Sequence, residues 1–160
     1  FPRIIMPSSA MIVSIVDFVI SLIILLFLFL IFNYWPGWQI ILLPFFVLLA
    51  FLSSLGPGLW ISSVNVKYRD FKYIVPFIIQ LGLYVSPVGF SSNIIPENLR
   101  LLYSLNPMVG VIDGFRWCIL GGDSQMYFPG FILSITIIFL FLWFGVNKFR
   151  KEERAFADLI

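Results

Sequence analysis

The sequence predicts an all-α membrane protein of four transmembrane helices, with a re-entrant pair of short helices before the last. Three observations lead there. The chain is 61% hydrophobic and 11% charged with a mean hydropathy of +1.03, whereas soluble domains carry about 25% charged residues. Four apolar stretches have the length of spans. The basic residues gather on one side of the arrangement those stretches define.

The first stretch, 10–32, is interrupted only by Ser14, Asp17 and Ser21. As a helix it reaches roughly 34 Å, enough for a hydrocarbon core of about 30 Å. NYWPGW (33–38) follows, pairing turn residues with the aromatic rings that favour a membrane–water interface. So short a hairpin sets the second span, about 39–62, antiparallel to the first. Pro44 and Gly56-Pro57-Gly58 are expected to kink that span or end it early. NVKYRDFK (65–72) is a charged turn, and the third span is expected over about 73–90. The fourth runs over about 128–146 and stops at KFRKEER, leaving a tail of 147–160.

Orientation follows from the charges. Arg3, Lys67, Arg69, Lys72, Lys148, Arg150, Lys151 and Arg154 fall on one side, and Arg100 and Arg116 on the other. Eight against two is a positive-inside signal, which faces both ends of this chain toward the cytoplasm. The chain begins at Phe1 and is read as a piece of a longer polypeptide.

Residues 91–127 then lie on the outer side, yet they are too apolar for an ordinary loop. Asn106 is placed to cap a helix, Pro107 to begin it and Gly121-Gly122 to end it. Such a helix is about 21 Å long, too short to cross. Gly110, Asp113, Gly114 and Trp117 share one face, and the two glycines make a small-xxx-small pair that admits a close neighbour. Asp113 and Arg116, three residues apart, neutralise each other in part. Alone, each would cost about 2.5–3.5 kcal/mol at the bilayer centre. A second short helix is expected over Pro96–Leu105, with Glu97 in its first turn. Two half-length helices between two spans suggest a re-entrant hairpin buried in protein or lining a cavity. The alternative is an amphipathic pair lying flat on the outer surface.

Several chemistries are excluded or thinly supported. The chain has no histidine, which removes the commonest general base and metal ligand, and no metal site is expected. Cys118 is the single cysteine and forms no intrachain disulfide. No GxxxxGK[ST] loop is present, so no P-loop ATPase resides here. No catalytic residue and no resident cofactor are expected, and the net charge of +2 suggests no nucleic-acid partner. Asp17, well inside the first span, is an intramembrane acid; without further ionisable groups at its depth, packing fits it better than a proton relay.

Four stretches resemble the permease subunits of type-2 ABC exporters of bacterial polysaccharides: FPRIIMPSSAMIVSIVDFVISL (1–22), NVKYRDFKYIVPFIIQLGLYVSPVGF (65–90), LNPMVGVIDGFRWCILG (105–121) and FRKEERAFADLI (149–160). Those systems export O-antigen, capsule or teichoic acid. The resemblance implies a six-span permease of which this chain supplies the last four spans. It also implies a homodimer in the bacterial cytoplasmic membrane, with a separate ATP-binding subunit that carries ATP and magnesium. The segment matching 91–121 would form short re-entrant helices gating the outer end of a channel for a lipid-linked polysaccharide. Asn106, Pro107, Gly110, Asp113, Gly114, Arg116 and Trp117 are then the gate candidates. Tyr84, Phe90, Tyr103 and Phe115 are candidate aromatic faces for sugars, though such rings also pack cores and interface belts. Arg69, Asp70, Glu152, Glu153 and Arg154 are candidate contacts for the ATP-binding subunit, or simply solvated charges that anchor helix ends near lipid headgroups.

Two other function classes set the comparison. A secondary transporter or channel would show coupling acids or a charged filter at mid-membrane, and Asp17 alone is thin support. A membrane-embedded transferase of lipid-linked sugars needs a catalytic base and often paired carboxylates, which the outer segment lacks.

Overall fold

The computed structural model describes residues 5–68, 70–121 and 126–157, and among them every regular element is helical. Six α-helices follow in order: α1 (Ile5–Ile31), α2 (Leu43–Lys67), α3 (Phe71–Val85), α4 (Glu97–Tyr103), α5 (Pro107–Leu120) and α6 (Phe128–Ala157). Short 3₁₀ turns at Trp38–Leu42 and Ser92–Ile94 lead into α2 and α4.

Each helix end has a local cause. α1 stops where Asn33 takes a left-handed φ of 51°, which Asn tolerates better than most residues. The backbone N–H of Tyr34 then reaches back to the Phe29 carbonyl at 3.0 Å, satisfying one of the last acceptors of the helix. α3 ends at Val85 because Ser86 precedes Pro87, whose ring forces Ser86 into extended backbone (ψ 147°). The helix therefore stops five residues short of the predicted 90, and its 15 residues measure about 22 Å.

Two other expectations change. Pro57 lies inside α2, so of the two expected outcomes, a kink or an early end, the early end is excluded; the helix runs on to Lys67. Tertiary packing overrides the local signal here, because Gly56 beside it is wedged against α6. α6 continues through KFRKEER to Ala157, 30 residues in all. Its charged end is made of good helix formers, and Lys148 pairs with Glu152 at 3.8 Å one turn on.

α2 and α6 form the axis of the molecule. Phe46 stacks on Phe131 with ring centroids 5.7 Å apart, and about ten residues further along each helix Gly56 abuts Phe141 and Leu142. Both contacts advance in the same chain direction, so the two helices run parallel. A Cβ at Gly56 would sit 2.7 Å from the Leu142 backbone nitrogen, and one at Gly145 would strike the Gly56 carbonyl. The core comprises Phe46 and Leu49 of α2, Val111 and Cys118 of α5, and Ile138 of α6. α5 is thus packed between the two long helices, whereas most side chains of α1 and α3 are uncovered.

By length and composition, two described segments suffice to cross a membrane, Trp38–Asn65 (28 residues) and Phe128–Glu152 (25 residues). Val16–Ile31 and Tyr73–Val85 are shorter apolar helical stretches.

Candidate functional site

The site is assembled where the two short helices meet the α2–α6 axis. α5 has the predicted bounds because Asn106 Oδ1 accepts from the Met108 backbone N–H at 3.0 Å, Pro107 opens the first turn, and Gly121 closes it with φ 65°. α4 begins after Pro96 with Glu97 in its first turn, which complements the helix dipole.

Contacts fix how deep this hairpin reaches. At the start of α5, Met108 Sδ lies 3.2 Å from Ser53 Oγ, about 15 Å along α2 from its first residue. At its other end the Leu120 carbonyl accepts from the Tyr34 hydroxyl at 2.9 Å, and Trp117 meets Trp38 edge-on at 6.2 Å. α5 therefore starts deep beside α2 and runs back to the level where α2 begins. α4 enters from that level: Arg100 lies over the Tyr127 ring at 5.3 Å, one residue before α6. Its exit, Ser104, sits beside Gly130, and the Ser104 carbonyl accepts from the Ser134 hydroxyl at 3.1 Å. The chain dips alongside the axis, turns at 104–106 and returns.

Glycines permit that fit. A Cβ on Gly110 would lie 2.6 Å from Ser134 Cβ of α6, and one on Gly114 would collide with the Phe46 ring of α2. The small-xxx-small pair of α5 thus serves two neighbours at once. Sequence reading missed the answering pair on α6, Gly130 and Ser134, although their i, i+4 spacing is the same signal. It also passed over the buried serines Ser86, Ser92 and Ser104, whose polarity is hidden in an apolar stretch.

The charged pair is formed. Arg116 Nη1 donates to Asp113 Oδ1 at 3.2 Å, and Nη2 donates to the carbonyls of Pro87 at 2.8 Å and Phe90 at 3.0 Å. Both side chains retain some exposure, 21% for Arg116 and 16% for Asp113. Burial raises the Asp113 carboxyl above its ordinary range, a push that Ser92, Arg116 and Arg100 oppose without cancelling. Two more bonds join the hairpin to the end of α3. The Tyr103 hydroxyl donates to the Val85 carbonyl at 2.7 Å, and Asn106 Nδ2 donates to Ser86 Oγ at 3.0 Å. Arg100 also donates to Asn93 Oδ1. Beside these groups is a cavity of about 10 Å³ lined by Arg100, Tyr103, Asp113 and Tyr127, room for a single water.

Of the aromatic candidates, Phe90 and Tyr103 are near neighbours with centroids 6.5 Å apart, while Phe115 packs into the core beside Phe46 and reaches Phe18. Tyr84 stands apart on α3, 71% exposed. Asp17 is exposed on α1 and is not gathered into the site. Of the candidate contacts for an ATP-binding subunit, Asp70 is exposed at the start of α3 and Glu152 is paired with Lys148. Arg69 and the side chains of Glu153 and Arg154 lie outside the described residues, as does Gly122. No cluster of three metal-ligating side chains occurs among the described residues.

With this geometry in place, comparison with known proteins is decisive about family. The family model for the ABC-2 type transporter matches residues 1–120, three quarters of the chain. The chain belongs to the ABC-2 type transporter family. Its relatives include the O-antigen export system permease protein RfbA of Myxococcus xanthus, 28% identical over 162 residues, which cover all of this chain and 62% of that protein. The protein of the same name in Klebsiella pneumoniae is 26% identical over 171 residues, covering all of this chain and 61% of the relative. This ABC-2 chain therefore spans about three fifths of the length of the curated relatives it matches. No solved structure matches it significantly. The family is one of membrane proteins, in keeping with the two long apolar helices.

Proposed function

We infer that this chain is part of the membrane-spanning permease subunit of a polysaccharide exporter. It conducts and gates passage of a lipid-linked polysaccharide across the bacterial cytoplasmic membrane, as one of two permease copies driven by a separate ATP-binding subunit. α1, α2 and α6 are three of the four spans; the other is the stretch 73–90, in which α3 covers about 22 Å and the segment after it, bonded to Arg116, completes the crossing. Both ends of the chain face the cytoplasm. The chain itself is a transport subunit with no catalytic role.

The observation that carries this reading is the hairpin. Its tip reaches about 15 Å along α2 and its ends return to one level, which is the shape of a re-entrant element and not of a flat surface pair. Its side chains are of the kinds that meet sugars. Arg116, Asp113 and Tyr103 offer hydrogen bonds, and Phe90 offers a ring face on which an apolar sugar surface can slide. Because α5 is locked into the core, it is the fixed side of the gate. The names of the relatives, both O-antigen export permeases, support the cargo class.

The test is reconstitution of the full-length permease with its ATP-binding partner in vesicles loaded with lipid-linked polysaccharide. Export should require ATP and survive collapse of the proton gradient. Asp113→Ala and Arg116→Ala should each reduce it at least tenfold at normal protein level. Export that stops with the gradient while ATP remains would assign the chain to secondary transport instead.

A further inference from the structure

The turn between α1 and α2 closes on the far end of α5. The Tyr34 hydroxyl donates to the Leu120 carbonyl at 2.9 Å. That carbonyl belongs to the last turn of α5, where acceptors find no donor within the helix. Trp38 meets Trp117, one turn earlier, edge-on at 6.2 Å. Gln39 reaches the helix stop itself: a Cβ on Gly121 would lie 3.8 Å from the Gln39 Oε1. The turn is in its own right held in place. The Tyr34 ring packs on Phe29 with centroids 5.3 Å apart, and its backbone N–H bonds to the Phe29 carbonyl, so the hydroxyl is aimed from the end of α1. Farther back, α1 touches α5 again where Phe18 meets Phe115 at 5.6 Å.

The core grips α5 through Val111 and Cys118, and beyond Cys118 its last residues lie against this turn. Helix ends fray unless their open carbonyls are met, and a directional bond from an ordered hydroxyl fixes the last turn where packing alone would let it slide. Arg116 and Trp117 stand one turn before that end, so its placement sets theirs. We propose that the turn between α1 and α2 is the outer anchor of the gate, with Tyr34 and Trp38 as positioning residues that hold the end of α5. The proposal rests on reading α5 as the fixed side of an export gate.

Spin-label mobility and transport, both measured on the full-length transporter with its ATP-binding partner, test it. A nitroxide on Leu120→Cys reports the end of α5, and that substitution keeps the backbone carbonyl. Tyr34→Phe removes the hydroxyl and keeps the ring. It should shorten the rotational correlation time of the nitroxide at least twofold and, without the label, lower export per ATP hydrolysed at least threefold. ATP hydrolysis should stay within twofold and the melting temperature within about 2 °C of wild type. Trp38→Ala should act in the same direction, and Trp38→Phe, which keeps a ring against Trp117, should recover at least half of the loss. An unchanged correlation time in Tyr34→Phe would overturn the anchor. Export per ATP that stays at the wild-type value would overturn the positioning role, whether or not the melting temperature falls. Equal losses in Trp38→Ala and Trp38→Phe would remove Trp38 from it. Absence of export from the wild type would instead overturn the gate reading beneath, while the correlation time still decides whether the turn anchors α5.

Discussion

Arg116 serves oxygens from three places: the Asp113 carboxylate one turn away on its own helix, and the carbonyls of Pro87 and Phe90 in the segment after α3. Asp113 receives a single bond from it, and burial already pushes that carboxyl toward its neutral form. The two members of the pair are therefore unequal. Asp113→Asn keeps the shape and removes a charge whose desolvation its partners do not fully repay, so it should shift stability by less than about 1 kcal/mol. Arg116→Ala strands two backbone acceptors and one carboxylate in partly buried places, and should cost about 2–4 kcal/mol. Thermal unfolding of the two purified variants checks the order, and a larger loss for Asp113→Asn would reject it. The i, i+3 spacing of the pair was legible in the sequence. That Arg116 also holds the segment after α3 was not, because those carbonyls lie 29 and 26 residues away and carry no signature of their own.

Among the elements, the contact between α2 and α6 is the one with least tolerance. Gly56 and Gly145 let two backbones touch, and an added methyl at either must push whole helices apart, since backbone cannot rotate away as a side chain does. Gly56→Ala and Gly145→Ala should each destabilise by about 1–3 kcal/mol. Gly82→Ala on α3 meets nothing within 4 Å and should be neutral or stabilise by about 0.5–1 kcal/mol. Melting temperatures of the three variants separate these outcomes. Helix ends set by neighbours in sequence, such as the Asn106 cap and the Gly121 stop, were legible in advance. The stop at Val85 was legible in principle from Ser86-Pro87, but the apolar residues beyond it drew the expected span onward. That α2 continues through Pro57 to Lys67 was only half legible, since the local rule allows a kink or a break and does not choose between them.

At the scale of the whole molecule, the parallel course of α2 and α6 requires the chain to return between them, which α3 and the hairpin accomplish. With the basic residues at the far ends of both long helices, the proposed orientation yields a labelling pattern. In intact cells, a membrane-impermeant maleimide should modify Trp35→Cys and Ile94→Cys in the full-length protein, both well exposed at the end of the molecule that the proposed topology turns outward. Lys151→Cys should react only after the membrane is opened. The native Cys118 is fully buried and should contribute little background. Reaction of Lys151→Cys from outside would invert the topology.

What the sequence determined by itself was local or compositional: the membrane as solvent, the helices, their caps, the charge pair and the length of α5. Each depends on residues within a turn or two of one another, or on sums over the chain. Only the tertiary structure decided that α5 lies between two parallel helices, that Gly56 meets Gly145, and that the last residue of α3 is bonded to the hairpin. Those pairings join segments far apart in the chain. Their stability comes from shape and hydrogen bonds that exist only once the helices are side by side.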